Sequence, residues 1–353
     1  MTLRRFHCTD FRCLSAVELE ISPRYNLIHG ANASGKTSLL EAIAYLGRGR
    51  SFRGAPLDRL IRHGATEFVL FGRLETGTRG VALGVRNSRA GLEISVDGDR
   101  TASAADLAQR MPLQIVDPEV HNLVAGGPEL RRRYLDWIAF HVEHGYLSLW
   151  RRFCRALRQR NAALREDPAA LRSWDLEFVD LALQVHAARL RTLEITRPVL
   201  TQTGLKLLGG PVGFEYQPGW TPEKSLAEAL AGGRERDFQQ ASTRAGPHHA
   251  DLKISHDERQ ARKRVSRGQQ KLLACTLILA ATEVVQAHLQ QPLLLLLDDP
   301  AAELDGESLE RLMGSIAGLD SQVLATALQQ DPSLFPEPPA TFHVEQGILT
   351  RQS

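Results

Sequence analysis

Gly30-Ala31-Asn32-Ala33-Ser34-Gly35-Lys36-Thr37 is a P-loop sequence, and Ser38 follows it directly. An apolar run precedes the loop, and apolar residues at helical spacing come after it: Leu39, Leu40, Ile43, Ala44 and Leu46. The pattern therefore predicts a strand, a glycine-rich loop and a helix in that order. In such a loop, backbone amides and a helix N-terminus surround phosphate groups. We expect Lys36 to contact the β- and γ-phosphates of ATP, and Thr37 to hold Mg²⁺.

Composition sets broad limits on the kind of protein. The chain has 353 residues, 43% of them hydrophobic, which is enough for two domains or for one domain with a large insertion. The formal net charge is only +2, so any nucleic-acid surface must be local. The four cysteines form no CxxC pair and are expected to be reduced thiols of a cytoplasmic protein. The N-terminus is charged, and the longest apolar run, Pro292–Leu297, is too short to span a bilayer, so we expect no membrane partner.

The spacing of apolar residues divides the chain into segments. Period-two patterns predict two strands within residues 1–29 and an antiparallel meander over 68–97, followed by a strand at 111–116. Helical spacing over 128–166 and 171–200 then predicts an arm of two long helices. Further elements are expected as a helix from Gly268, a strand at Leu293–Leu297, a helix near Glu307–Ala317 and a strand at Gln322–Thr326.

Two acids, Asp298 and Asp299, follow the apolar run that ends at Leu297. A fully buried parallel strand has such a continuous apolar sequence, and ligands bind outside the carboxyl ends of these strands. We expect Asp298 to hold Mg²⁺, directly or through water, and Asp299 to orient or deprotonate the attacking water. On their own the two acids could equally be a helix N-cap pair, but beside a P-loop they favour a nucleotide site.

The segment Ser266-Arg267-Gly268-Gln269 precedes the second long apolar helix, and Ser266 could simply be its N-cap. Together with the P-loop and the strand-acid motif, however, it resembles the signature motif of the ABC-type ATPase superfamily. The resemblance implies that Ser266, Gly268 and Gln269 contact, in trans, the nucleotide held by a second molecule. Ala302-Glu303-Leu304-Asp305 fits the D-loop of that superfamily. Gln114 is the candidate for its glutamine that contacts metal and water.

Further motifs resemble a narrower group, the RecF family within the SMC-like branch. They are Asp10-Phe11-Arg12, Leu40-Glu41-Ala42-Ile43, Arg50-Ser51-Phe52-Arg53, Gln159-Arg160-Asn161, Gly246-Pro247-His248-His249-Ala250-Asp251-Leu252 and the acid pair Asp-Asp in place of Asp-Glu. The implied fold is an α/β ABC-type ATPase head, with a mixed sheet around the P-loop helix and an antiparallel β subdomain. We expect residues 1–121 and 208–353 to form this discontinuous ATPase domain, and residues 122–207 an inserted helical arm domain.

Three positions depart from the patterns that these families show. Ala302 stands where the family D-loop commonly has serine, so a hydroxyl is missing there. The histidine that ends the last sheet strand of transporter ATPases is replaced by Thr326-Ala327. Asp299 is one methylene shorter than glutamate, so the water must come closer or hydrolysis must be slow. Slow hydrolysis suits a timer better than a motor.

The resemblance implies a recombination mediator that dimerises on ATP, with weak DNA-dependent ATPase activity. It would bind gapped DNA, or junctions of single and double strands, and help RecO and RecR to load RecA in repair and replication restart. The candidate DNA contacts are arginines on the arm, each of which could instead be a solvated residue: Arg131, Arg132, Arg151, Arg155 and Arg158. His248 and His249 could contact nucleotide or DNA, or have a structural role.

Three alternatives remain open on the sequence. A transport ATPase subunit is disfavoured because about 230 residues separate the P-loop from the signature motif. A chromosome-organising SMC protein needs hundreds of heptad residues, which the predicted arm cannot supply. A DNA-binding module with incidental ATP hydrolysis would carry the same motifs, and only a variant that separates binding from turnover can distinguish it.

Overall fold

The computed structural model describes residues 1–77, 79–100, 102–166, 171–257, 259–260, 266–302 and 304–352. The described strands are β1 (Thr2–Phe11), β2 (Leu14–Glu20), β3 (Tyr25–His29), β4 (Glu67–Thr76), β5 (Arg79–Ser88), β6 (Gly91–Val96), β7 (Leu113–Val116), β8 (Val212–Gln217), β9 (Asp251–His256), β10 (Arg259–Gln260), β11 (Leu294–Leu297), β12 (Gln322–Ala327), β13 (Ala340–Glu345) and β14 (Ile348–Gln352). The described helices are α1 (Lys36–Arg48), α2 (Leu57–Leu60), α3 (Ala104–Arg110), α4 (Asn122–Ala125), α5 (Pro128–Val142), α6 (Tyr146–Glu166), α7 (Leu171–Leu208), α8 (Leu226–Gln240), α9 (Arg267–Leu289) and α10 (Gly306–Ala317).

By packing, the chain divides into two compact units. Unit one contains Met1–Val120 and Gln290–Ser353, and unit two contains His121–Leu289. The predicted domains placed residues 208–289 with the ATPase domain, whereas by packing they lie in unit two. The physical reason is that α9 packs against α5 and α7, and β8 packs against α7. The division into an ATPase domain and an inserted arm therefore stays a prediction about domain organisation.

A six-stranded sheet in the order β14-β13-β3-β12-β11-β7 forms the first layer of unit one. The five strands from β13 to β7 are parallel, and β14 is antiparallel at the edge. Neighbouring parallel strands have their carboxyl ends at the same edge of a sheet. The loop after β3 and the residues after β11 therefore meet at one edge, with β12 between the two strands.

A five-stranded antiparallel sheet in the order β2-β1-β4-β5-β6 completes unit one. Residues of both sheets share one hydrophobic core with α1, which is buried on nearly every side from Leu39 to Gly47. Phe11, Tyr45 and Phe68 meet edge to face in this core. The mixed sheet around the P-loop helix and the antiparallel sheet confirm the predicted fold class.

Unit two is mainly helical, with a small antiparallel sheet of β10, β9 and β8. The helices α6 and α7 pack along each other, and α9 packs on α7. One long helix was predicted over 128–166, but the structure has α5 and α6, with a break at Glu143–Gly145. Gly145 has φ 76°, a left-handed conformation that ends one helix before the next begins. The predicted second helix extends to Leu208 and continues through Pro198.

Among the residues that the structure describes, α9 is the one helix that is long and apolar enough to cross a membrane. In its most apolar stretch, 72% of the residues are buried inside the protein. A buried core helix passes the same test of length and composition, so this helix is only a weak indication of a membrane segment.

Candidate nucleotide-binding site

The predicted P-loop connects β3 to α1. Ala33 at φ 61° and Gly35 at φ 118° have left-handed backbone conformations, which fold the chain into a tight loop directly before the helix. Within it, Lys36 is only 9% exposed, and its Nζ donates to the carbonyl oxygens of Gly30 at 2.7 Å and Ala31 at 2.8 Å. The side chain of Lys36 therefore packs against the backbone of the P-loop, the loop in which it is predicted to contact the phosphates.

The loop has features that fit a phosphate group. Ser34 is 7% exposed, and its hydroxyl oxygen is buried without a hydrogen-bond partner in the described part of the chain. At Gly30 a Cβ atom would collide with the carbonyl oxygen of Val344, so this position requires glycine for a close approach of two backbones. Ala31, Asn32 and Ala33 are exposed at the loop's tip, and Thr37 and Ser38 are half-buried at the start of α1. An unsatisfied hydroxyl, a lysine and free helix amides suit an anionic ligand.

The structure brings the P-loop and the strand-end acids together across 261 residues of sequence. Thr37 Oγ1 donates to Asp298 Oδ1 at 2.9 Å. Asp298 is 6% exposed and follows β11 directly, and its backbone amide donates to the carbonyl oxygen of Val116 at 2.8 Å. A hydroxyl and a carboxylate in contact are the oxygen ligands that Mg²⁺ prefers. Two of the three predicted metal-contacting residues, Thr37 and Asp298, therefore lie at one point.

Charges around the loop act on its lysine. Burial lowers the pKa of Lys36, and the nearby carboxylates of Asp299 and Asp298 act in the opposite direction. Asp299 is half-buried and has φ 50°, a left-handed conformation that is uncommon for a residue with a side chain. Two acids and one lysine thus share the carboxyl edge of the sheet.

Gln114 does not lie at that edge. It is 8% exposed within β7, opposite Leu295 of β11 and two residues before the strand ends. This position within β7 does not fit the predicted contact of Gln114 with metal and water at the edge where Thr37 and Asp298 meet. Asp117 occupies the carboxyl end instead: burial raises the pKa of Asp117, and the charge of Asp298 raises it further. Asp117 directly follows the strand predicted at 111–116, and an acid after an apolar strand is the same signal that identified Asp298.

The signature residues lie in unit two, at the start of α9. Ser266 Oγ accepts from the Gln269 amide at 3.3 Å, and Gln269 Oε1 accepts from the Ser266 amide at 3.1 Å. This reciprocal pair is a capping box, so the capping role of Ser266 is present. Ser266 is exposed, and Gly268 lies in the first turn of the helix. The preceding Val265 lies outside the described residues.

The predicted D-loop is described except for Glu303, which lies outside the described residues. Asp305 is the N-cap of α10 and accepts from the Ser308 amide at 2.8 Å. The carboxylate of Asp305 therefore caps α10 within unit one. Ala302, which stands where the family D-loop commonly has serine, is half-buried.

The five candidate DNA-binding arginines fall into two groups. Arg131 is 3% exposed and pairs with both carboxylate oxygens of Asp251, at 2.7 and 3.1 Å. Arg132 is half-buried and donates to the carbonyl oxygen of Ala250 at 2.8 Å. Its burial and its ion pair do not support the predicted role of Arg131 as a DNA contact. Three others are exposed on α6 and form no ion pair within the described residues: Arg151, Arg155 and Arg158.

His248 and His249 lie in the segment whose role the sequence left open. Both Nε2 atoms contact the carbonyl oxygen of Thr243, at 2.9 and 3.1 Å. A carbonyl oxygen only accepts, so both histidines donate from Nε2. Burial lowers the pKa of His248 to about 4, so at neutral pH this ring is uncharged. In unit two the pair has a structural role.

This arrangement of sheet, loop and acids defines a class of protein, the ATPase head of the ABC type that also occurs in SMC proteins. A solved SMC head bound to the C-terminal winged-helix domain of ScpA has the same fold, with a TM-score of 0.63 at 16% identity, covering 100% of this chain and 98% of that chain. The family model for the RecF/RecN/SMC N terminal domain matches residues 2–339.

Relatives with higher sequence identity to this chain than the SMC head define the family. The DNA replication and repair protein RecF of Pseudomonas putida (strain W619) is 39% identical, covering 99% of this chain and 98% of the relative. That of Escherichia coli O1:K1 / APEC is also 39% identical, covering 99% of this chain and 100% of the relative. The solved recombination mediator protein RecF-ATP in the RecFOR pathway has a TM-score of 0.90 at 24% identity, covering 100% of this chain and 98% of that chain. The chain belongs to the RecF family.

Proposed function

We propose that this chain is an ATP-dependent, DNA-binding recombination mediator. It binds ATP and Mg²⁺, dimerises on ATP, and binds gapped DNA or the junction of single- and double-stranded DNA. With RecO and RecR it helps to load RecA during DNA repair and replication restart. Two supports stand behind the proposal: membership of a family whose relatives are named DNA replication and repair proteins, and the geometry of the nucleotide site.

The observation that carries the proposal is the hydrogen bond between Thr37 and Asp298 at 2.9 Å. Two motifs that each predict a nucleoside triphosphate site are far apart in sequence, and this bond places them in contact. A glycine-rich turn before a helix, or an acid pair that only caps a helix, gives no reason for such a contact. The joint occurrence favours a phosphate and metal site.

In this proposal the loop Gly30–Ser38 surrounds the phosphates with its amides, and Lys36 leaves the loop carbonyls to contact the β- and γ-phosphates. Thr37 and Asp298 would hold the metal ion, which would supply charge neutralisation at the phosphates. Asp299 orients or deprotonates the attacking water, and its short side chain makes turnover slow. Asp117, rather than Gln114, is the residue at the end of β7 that is available to this site.

The second half of the site is proposed to come from another copy of the chain. Ser266, Gly268 and Gln269 stand at the N-terminus of α9, where the helix dipole favours an anion. Two ATP molecules would then connect two chains. ATP can shift the equilibrium toward the dimer only as far as it binds the dimer more tightly than the monomer.

The proposed DNA contacts are Arg151, Arg155 and Arg158 on the exposed face of α6. Arginines at this spacing present their guanidinium groups along one side of a helix, as a phosphate backbone requires. Arg132 remains a weaker candidate because its guanidinium already donates to a backbone carbonyl.

Light scattering with increasing protein, with and without ATP and Mg²⁺, tests the dimer. We expect a monomer mass without nucleotide and a dimer mass with ATP, and no dimer for Lys36→Ala. A second arm measures binding to gapped and to blunt duplex DNA at several salt concentrations. A monomer mass under saturating ATP at all protein concentrations would contradict the ATP-bridged dimer.

A further inference from the structure

Thr326 lies between the two halves of the nucleotide site. In β12 it is opposite Ile28 of β3, the strand that leads into the P-loop. The residue before it, Ala325, is opposite Leu297, the last residue of β11. Thr326 is 0% exposed, so its hydroxyl is in the interior at the carboxyl edge of the sheet. A buried hydroxyl needs hydrogen-bond partners within the protein, and the identity of those partners indicates its role.

The two nearest hydrogen-bond partners of this hydroxyl belong to the acid pair. Thr326 Oγ1 donates to Asp298 Oδ1 at 3.0 Å and accepts from the backbone amide of Asp299 at 2.9 Å. A hydroxyl has one hydrogen to donate and lone pairs to accept, so it can make both bonds at once. The carbonyl oxygen of Leu297, at 3.5 Å, is the weaker alternative acceptor.

The first bond fixes a carboxylate. Asp298 Oδ1 accepts from Thr326 and from Thr37, so two hydroxyls define the orientation of the carboxylate plane. No hydrogen bond to Asp298 Oδ2 occurs within the described residues, which leaves this oxygen available to a ligand. Of the two hydroxyls, only that of Thr326 is outside the P-loop, and it therefore holds Asp298 independently of the loop.

The second bond fixes a backbone turn. Asp299 has φ 50°, a conformation that persists in a residue with a side chain only when the surroundings hold it. The amide that donates to Thr326 is the amide of this residue. One hydroxyl thus determines both the side-chain orientation of Asp298 and the direction in which Asp299 leaves the strand.

We propose that Thr326 is a positioning residue that orients Asp298 and Asp299 for Mg²⁺ and the attacking water. The inference rests on the proposed function of the site. It gives a role to the position where transporter ATPases have the histidine that ends their last sheet strand: in this chain the hydroxyl of Thr326 acts on the two acids. Its effect therefore appears in the dependence on Mg²⁺ and not in nucleotide affinity as such.

The test compares Thr326→Val and Thr326→Ala with Thr326→Ser, using equilibrium binding of a fluorescent ATP analogue over a range of Mg²⁺ concentrations. For the two variants without a hydroxyl, we expect half-maximal binding to need about 10-fold more Mg²⁺ or above, as for other residues that orient a metal ligand. Binding in the presence of a chelator is expected to be unchanged. Serine, which keeps the hydroxyl, is expected to restore the dependence of the wild type.

Thr341→Val is the matched control. Thr341 is buried at 8% exposure in the same sheet, and its hydroxyl donates to a backbone carbonyl, that of Pro339, rather than to an acid. It should leave the Mg²⁺ dependence unchanged. If Thr326→Val does not fold, Thr326→Ala gives the same reading. A folded variant without the hydroxyl but with the Mg²⁺ dependence of the wild type overturns this inference alone, whereas a wild type that binds no nucleotide overturns the proposed function and this inference with it.

Discussion

At the scale of single residues, buried arginines in unit two hold the helices through acids. Arg160 is 0% exposed and pairs with Asp237 at 2.9 Å and Asp175 at 2.8 Å. Arg189 is likewise 0% exposed and pairs with both oxygens of Asp136, at 2.8 and 2.9 Å. A buried charge is tolerated only when partners satisfy it, and removal of one partner leaves the other uncompensated. Burial thus separates structural arginines from those available to DNA.

Arg131→Ala and Arg155→Ala should have opposite consequences. Loss of the buried Arg131 leaves Asp251 without its partner, so we expect a loss of about 3 kcal/mol in the free energy of unfolding. Exposed Arg155 should change stability by less than about 0.5 kcal/mol. On DNA, Arg155→Ala should reduce the slope of log affinity against log salt by about 1, while Arg131→Ala leaves it unchanged. Denaturant unfolding and salt titrations measure both, and a salt slope that responds only to Arg131 would contradict the assignment.

His248 should make unit two less stable in acid. Its pKa is lowered from 6.5 to about 4, chiefly by burial and further by the charges of His249, Arg132 and Arg160. Below pH 6.5 the unfolded chain therefore binds a proton that the folded chain refuses until about pH 4. The stabilisation is complete above pH 6.5 and is lost as the pH falls toward 4.

His248→Gln removes this titration and can still donate to the carbonyl oxygen of Thr243. Between pH 7 and pH 5, we expect the wild type to lose about 2 kcal/mol more unfolding free energy than this variant does. Chemical unfolding at each pH measures the difference. Parallel pH profiles for the two proteins would show that His248 has the same pKa in the folded and unfolded states, which would contradict the prediction.

At the scale of elements, the sequence pattern predicted those strands whose formation depends on residues close together in the chain. The strands β4, β5 and β6 follow from alternation, and β11 follows from an apolar run that ends in acids. β13 and β14 were not predicted, because prolines directly precede the first of them and its partner β3 lies about 300 residues away in sequence. The break at Gly145 was missed because the apolar spacing continues across it. The depth of Gln114 within β7 depends on strand register, which no local pattern contains.

The N-terminus of α9 allows capping and nucleotide contact to be separated. Ser266→Asp and Ser266→Asn both retain a good N-cap, so both should be as stable as the wild type within about 0.5 kcal/mol. The aspartate alone brings a negative charge to the place where the proposed partner's γ-phosphate would bind. We expect Ser266→Asp to bind ATP but to form no ATP-dependent dimer in light scattering, and Ser266→Asn to dimerise. Equal dimerisation of the two variants would reduce Ser266 to a helix cap.

At the scale of the whole molecule, the proposed function couples three events: ATP binding, dimerisation and DNA binding. Family membership and the contact between Thr37 and Asp298 support the first event most directly. The residues for the other two lie in unit two, on α6 and at the start of α9. The coupling is consequently a matter of linkage: DNA that binds the dimer more tightly must raise the affinity for ATP by the same factor.

Asp299→Asn tests whether turnover is needed or only ATP binding. The side chain keeps its size and loses its negative charge, so we expect ATP binding and dimer formation to persist while hydrolysis falls at least about 100-fold, the usual contribution of a general base. If hydrolysis opens the dimer, this variant should dissociate from gapped DNA more slowly than the wild type in ATP, and cells that carry it should fail to complete repair after ultraviolet damage.

Lys36→Ala, which should not dimerise, is the control for loss of ATP binding. Survival of repair with Asp299→Asn but not with Lys36→Ala would favour the DNA-binding module whose ATP hydrolysis is incidental. Unchanged turnover would remove Asp299 from the reaction and leave Asp117 as the acid to examine.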